Sequence, residues 1–124
     1  MARRSGKLSK ALTSAIESPY AGDVETNLQY LRAAMRWCVL NGYSPYASHG
    51  LLTQDGVLDD DDPEERELGI KLGLDMAART DLRIVFEDFG ISSGMQRGIA
   101  HAKSINQGII YVRLGDQWEK WLKK

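Results

Sequence analysis

The chain has 124 residues, 43% of them apolar and 27% charged, with a formal net charge of −1 and a mean hydropathy of −0.36. These values fit one soluble globular domain with a core of its own, are too small for two, and exclude a global field that would draw the chain to nucleic acid or an acidic membrane surface. Cys38 is the single cysteine, which excludes an internal disulfide framework; with no bilayer-length apolar run and no signal-peptide core, cytoplasmic residence is the expectation.

Residues 1–10, with Arg3, Arg4, Lys7 and Lys10, read as a flexible basic terminus, and residues 11–124 as a single domain. Leu12 to Ser18 reads as the first strand and ends in the turn-forming cluster Ser18-Pro19-Tyr20-Ala21-Gly22-Asp23. Asp23 can cap a helix whose apolar stripe is Leu28, Leu31, Met35 and Val39, closed by Asn41-Gly42. Tyr43 to Ser48 is a second strand, and Pro45 assigns it to a sheet edge. A long polar connection follows, from His49 to Asp62. Asp62-Pro63-Glu64-Glu65 starts the next helix, with Asp62 as cap and Pro63 at the first position. Its apolar stripe is Leu68, Leu72 and Met76. A second stripe of small residues, Gly69, Gly73 and Ala77, implies close approach by a neighbouring element, since glycine otherwise weakens a helix.

Leu82 to Glu87 is the most strongly marked strand, rich in β-branched and aromatic residues. A helix from Ser92 or Ser93 to about Lys103 follows, then a strand from Gly108 to Arg113. Asp116 to Lys124 reads as a short amphipathic helix that buries Trp118 and Trp121 against the core or a partner chain. The alternation predicts an α/β fold, a flavodoxin/Rossmann-like three-layer sandwich with a parallel sheet of four to five strands in the order 2-1-3-4(-5). Ligands of such sheets bind where the strand order reverses, outside the carboxyl ends of the flanking strands. Those ends are Ser18–Asp23 and Glu87–Gly94.

The candidate site residues follow from that crevice. Gly90 to Ala102 reads as a tight loop entering a helix, so Ser92, Ser93 and Gly94 offer free backbone N–H groups and the positive end of a helix dipole to an anion. Ser18, Tyr20, Gly22 and Asp23 line the opposite lip, Tyr20 as an aromatic platform and Asp23 as an acceptor, a helix cap, or both. Glu87 and Asp88 stand where the third strand ends, as candidate acids, bases or sugar-hydroxyl acceptors; strand alternation lets one of them face the site. His49 lies on the same rim, and His101 reads as structural. Asp59 to Asp62 lacks the ligand spacing of a calcium loop and reads as a solvated loop ending in a cap. No Walker loop, GxGxxG or serine-triad signature occurs, so no metal and no cofactor are implied.

Ser18-Pro19-Tyr20-Ala21-Gly22-Asp23 and Gly94-Met95-Gln96-Arg97-Gly98 together resemble the nucleoside 2-deoxyribosyltransferase superfamily, which includes 2′-deoxynucleoside 5′-monophosphate N-glycosidases. Ala47-Ser48-His49 and Leu58–Arg66 add a resemblance to an uncharacterised small domain of bacterial and phage proteins. The resemblance implies cleavage of an N-glycosidic bond, or deoxyribosyl transfer, on a nucleoside 5′-monophosphate-like substrate. It also implies a homo-oligomer; the net charge and the lack of a bilayer-length apolar run leave neither a membrane nor a nucleic acid as the expected partner. Where those enzymes keep a catalytic glutamate, this chain carries Gln96, a neutral amide. The carboxylate must then come from Asp88 or Glu87; otherwise the domain is a nucleotide-binding sensor, sequestering or accessory module without catalysis.

Overall fold

A computed structural model describes residues 11–124, so the basic terminus expected at residues 1–10 lies outside the described residues. Four parallel strands, β1 (Leu12–Glu17), β2 (Tyr43–Tyr46), β3 (Leu82–Phe86) and β4 (Gly108–Val112), form one sheet in the order β2-β1-β3-β4. The helices are α1 (Val24–Leu40), α2 (Ser48–Leu51), α3 (Pro63–Ala77) and α4 (Ser93–Ser104). The α/β class and the strand order are those expected from the alternation of elements, with β2 and its Pro45 at the edge. Among these residues no helix is long and apolar enough to cross a membrane.

Strand parity divides the sheet into two unlike faces. Ile16, Leu82, Ile84 and Phe86 point to α1 and form the main core with Tyr30, Leu31, Ala34 and Cys38. Ala15, Glu17, Arg83 and Val85 point the other way; α4 covers part of that face with Met95 and Ile99, which pack on Val85. The polar group Glu17–Arg83 sits among them.

Three helical readings change in the folded chain. In α1 the inward residues are Asn27, Tyr30, Leu31, Ala34 and Cys38, whereas Met35 and Val39 of the expected stripe are exposed. The alanines let the helix lie close to the sheet, and this rotates the inward face. In α3 the expected apolar stripe is nearly half exposed, at 47%, 46% and 47% for Leu68, Leu72 and Met76. The small stripe faces inward instead. A Cβ on Gly73 would lie 2.5 Å from the Ser48 hydroxyl, and one on Gly69 3.2 Å from Leu58. The close approach expected of these glycines is made by α2 and the loop after it. The expected helix at Asp116–Lys124 is only a four-residue 3₁₀ turn, Trp118–Trp121. Trp118 nevertheless docks on the chain's own core, edge-on to Tyr30 at 5.5 Å and to Phe89 at 5.7 Å.

Candidate functional site

The carboxyl ends of β1 and β2 open into a cavity of about 190 Å³ bordered by α2, α3 and the start of α4, with Ser92, Ser93 and Gly94 supplied from the loop and helix after β3. Each wall has a local cause. The turn after β1 is held by Asn27, whose side-chain amide donates to the carbonyls of Tyr20 (2.9 Å) and Ala21 (3.1 Å). Asp23 caps α1, accepting from the Thr26 N–H at 3.2 Å and the Thr26 hydroxyl at 2.8 Å. Ser92 caps α4 by accepting from the Met95 N–H at 3.3 Å. Asp62 caps α3, accepting from Glu64 N–H at 3.0 Å, with Pro63 at the first position.

Ser18, Tyr20, His49, Ser92, Ser93 and Gly94 all border this cavity. Gly22, with a left-handed φ of 99°, borders an adjoining groove of about 700 Å³ that shares Tyr20, Thr53, Leu58, Asp60 and Glu65 with the cavity. Asp23 borders neither and is occupied as a cap. Ser18 Oγ lies 2.7 Å from His49 Nε2. Burial pushes the His49 imidazole down to about 4, so the pair presents two neutral hydrogen-bonding groups at the cavity wall.

The three residues expected to supply or replace the carboxylate stand elsewhere. Asp88 shares strand parity with Ile84 and Phe86 and so turns toward α1. There it accepts from the Tyr30 hydroxyl (2.5 Å) and from the backbone N–H groups of Leu114 (3.0 Å) and Gly115 (2.8 Å). Burial acts to raise its carboxyl, and these hydrogen bonds outweigh burial and hold it below the usual range. Asp88 is a clamp between β3 and the segment after β4. Glu87 pairs with Arg113 at 3.2 Å. Gln96 is exposed on α4. None of the three lines the cavity.

The carboxylate at the cavity floor is Glu17, the last residue of β1, which sequence reasoning passed over. Its Oε2 accepts from Arg83 Nη1 at 3.0 Å. Arg83 is fully buried and also donates to the Gly98 carbonyl (2.6 Å), Gln107 Oε1 (3.1 Å) and His101 Nδ1 (2.9 Å). Gln107 in turn donates to the carbonyls of Ala77 and Thr80, both at 2.9 Å. Burial pushes the Glu17 carboxyl up to about 7 against the pull of Arg83. Gly98 makes the seat: a Cβ there would run into the Glu17 carboxylate. The available signal was a charged residue at each of two positions, Glu17 and Arg83, inside strands that otherwise read as apolar.

Further out, Arg66 lies 3.8 Å from Asp60, and Arg97 makes a two-pronged bridge to Glu67 at 3.0 Å per arm. Arg66 and Arg97 both border the cavity near the start of α4. The rest of the Asp59–Asp62 run is turn chemistry, Asp59 accepting from the Asp61 N–H at 3.0 Å.

The family model of a domain of unknown function, DUF7768, matches residues 13–112, from β1 through β4. The chain belongs to that family. Comparison with curated proteins gives no match. Among solved structures, this DUF7768 chain is similar to a 2-deoxyribosyltransferase from the psychrotolerant bacterium Bacillus psychrosaccharolyticus, described as a biocatalyst for the synthesis of antiviral and antitumoral nucleosides. The TM-score is 0.63 at 12% identity, over 84% of the DUF7768 chain and 74% of the other. At that identity the likeness concerns the fold.

Proposed function

We propose that the cavity binds a nucleoside or nucleotide and that Glu17 acts at its N-glycosidic bond, releasing the base or transferring the sugar. The observation that carries this reading is a carboxyl at the carboxyl end of β1, on the cavity floor, with its titration moved to about 7. A carboxyl poised near neutrality is suited to general acid catalysis. As the C1′–N bond breaks, its electron pair goes to the base nitrogen, which takes the Glu17 proton. Water then adds at C1′ and returns a proton to the Glu17 carboxylate; in transfer, a ring nitrogen of a second base adds in place of water and its proton goes to Glu17.

The cavity is smaller than the roughly 300–1,000 Å³ of a usual small-molecule site, so it suits one ring of the ligand. The adjoining groove beyond Tyr20 has room for the other. Ser92, Ser93 and Gly94, with Arg66 and Arg97 at the mouth, suit a 5′-phosphate. Ser18 and His49 offer neutral contacts to a hydroxyl or a base edge. A homo-oligomer, if formed, is expected to cover Leu68, Leu72 and Met76, the exposed stripe of α3.

The test is incubation with a panel of nucleosides and nucleoside 5′-monophosphates, with free base measured by chromatography. Wild-type protein is expected to release base and Glu17→Gln to lose at least about 100-fold in rate. No base from any of them would overturn the catalytic reading. A second reading, binding without cleavage, is favoured by the engagement of Glu17 with Arg83. Its signature is a raised melting temperature with the ligand recovered intact.

A further inference from the structure

Arg83 is hard to explain by stability. A guanidinium at zero exposure as the second residue of an otherwise apolar strand must be desolvated, and a hydrophobic residue of like volume is often as stabilising as a buried ion pair. What Arg83 does is orient. It keeps its proton and has no acceptor, so His101 must present Nδ1 as a lone pair and is neutral; burial first, then the Arg83 charge, lower the His101 imidazole. Gln107 fixes Nε from one side and the Gly98 carbonyl fixes Nη1 from another. With its fork held at three points, Arg83 engages one oxygen of Glu17, Oε2; among the described residues Oε1 accepts no hydrogen bond.

We infer that Arg83 is the positioning residue for Glu17, anchoring Oε2 from beneath the cavity floor and leaving Oε1 to carry the proton offered to a ligand. The inference rests on the role proposed above for Glu17. The other charged or titratable groups around the cavity are Tyr20 from the turn after β1, Tyr46 from β2, whose hydroxyl burial pushes up, His49 from α2, Asp60 from the loop, Glu65 and Arg66 from α3, and Arg97 from α4. Asp60 faces Arg66, Arg97 is bridged to Glu67, Glu65 accepts from the Asp59 N–H, and His49 is neutral. Arg83 is thus the cation in contact with Glu17.

The test is a carbon-13 NMR titration of the glutamate carboxyls in the full chain, with Glu17 assigned by its loss in Glu17→Gln. Arg83→Gln keeps hydrogen-bond donors but removes the charge, and is expected to move the Glu17 midpoint up by at least about one pH unit. Arg83→Lys, which restores charge without the fork, is expected to return it at least halfway. The pH profile of base release should move by the same amount, whereas a merely structural arginine would lower the rate at every pH without moving the midpoint. In case Arg83→Gln does not fold, a second measurement uses the wild-type chain. Its Arg83 guanidinium nitrogen resonances should shift with pH at the Glu17 midpoint, and this shift should vanish in Glu17→Gln. A Glu17 midpoint unchanged within about 0.3 unit in folded Arg83→Gln, or guanidinium resonances blind to the Glu17 titration, overturns the assignment. Both readouts need no substrate, so a correct titration without base release would overturn only the proposed function.

Discussion

The two faces of the sheet are made by alternate residues of the same strands, yet they are built on opposite principles. Toward α1, Ile16, Ile84 and Phe86 meet Tyr30, Ala33, Ala34 and Cys38 at close to zero exposure. Among the polar groups there, Tyr30 and Asp88 satisfy each other and tie down the chain after β4. Toward α3 and α4, the same strands present Glu17 and Arg83, and the covering helix offers glycines rather than leucines, so a cavity remains. A face filled with large apolar groups supplies burial energy. A face of small and polar groups gives up some of that energy and keeps space, a positioned carboxyl and a helix start. Stability rests mainly on the α1 face, and the α3/α4 face holds the cavity to which ligand chemistry is proposed.

The strongest challenge to this division is Phe86→Ala. It should lower unfolding free energy by about 3–5 kcal/mol in urea titrations, by lost burial and a residual cavity. In the fraction that remains folded at low temperature, nucleotide-induced stabilisation should persist; its loss would mean that the two faces are coupled.

The next effect concerns pH. Glu17 sits at about 7 in the folded chain against an ordinary 4.5. Between those values the folded state holds a proton that the unfolded state has lost, so this group's contribution to stability falls as pH rises. His49 sits at about 4 against an ordinary 6.5. There the unfolded state holds the extra proton, so its contribution rises with pH over nearly the same window. Each effect is on the order of 3 kcal/mol and the two oppose one another. Wild-type stability should therefore vary little between pH 4.5 and 6.5 on account of this pair. Glu17→Gln should unmask a rise with pH, and His49→Gln a fall, both read from denaturant midpoints in buffers across that range. Parallel curves for all three proteins would show that neither group titrates as the cavity requires.

Gly98→Ala sharpens the comparison on the cavity side. The new methyl must displace the Glu17 carboxylate. A cost of about 1–3 kcal/mol in stability is expected, together with loss of nucleotide-induced stabilisation in thermal-shift assays. Retained binding with Glu17 displaced would mean that the ligand does not need the carboxyl seat. The smallest effect is expected for Tyr30→Phe, which removes one of three donors to Asp88. It should cost about 1–2 kcal/mol and leave base release within about threefold of wild type, measured on the same nucleotide panel. A larger loss of rate would bring Asp88 back into the chemistry.

Much of the scaffold was legible in the chain. Asp23 and Asp62 stand as helix caps where capping chemistry predicts them, α4 starts at the Ser92/Ser93 boundary expected, and Pro45 marks the edge strand, because these are local backbone effects. Leu28 and Leu31 of the α1 stripe pack as expected, whereas Met35 and Val39 and the α3 stripe lie outward for a physical reason. Periodicity locates a helical face by its large residues, whereas Ala33, Ala34, Gly69 and Gly73 turn inward because small residues permit contact at short range. The four-residue α2 was hidden in a polar connection too short to show a period.

From the chain alone came a parallel α/β sheet of four to five strands, the order of its first four, its helix starts and a ligand crevice between the ends of β1 and β3, whereas the folded chain has four strands and its cavity borders the ends of β1 and β2 and the start of α4. The expected features follow from propensity, capping and connection rules that act over a few residues. Only the tertiary structure decided which carboxylate reaches the cavity. Glu17 ends β1 and Asp88 follows the end of β3 by two residues, and no local pattern separates them. Strand parity turns Asp88 to Tyr30 and Glu17 to Arg83, and Arg83 is assembled with Gly98, His101 and Gln107, residues 15 to 24 positions further along the chain. Such a network is a property of packing, in which a buried charge is held by whatever partners the fold brings within hydrogen-bond reach.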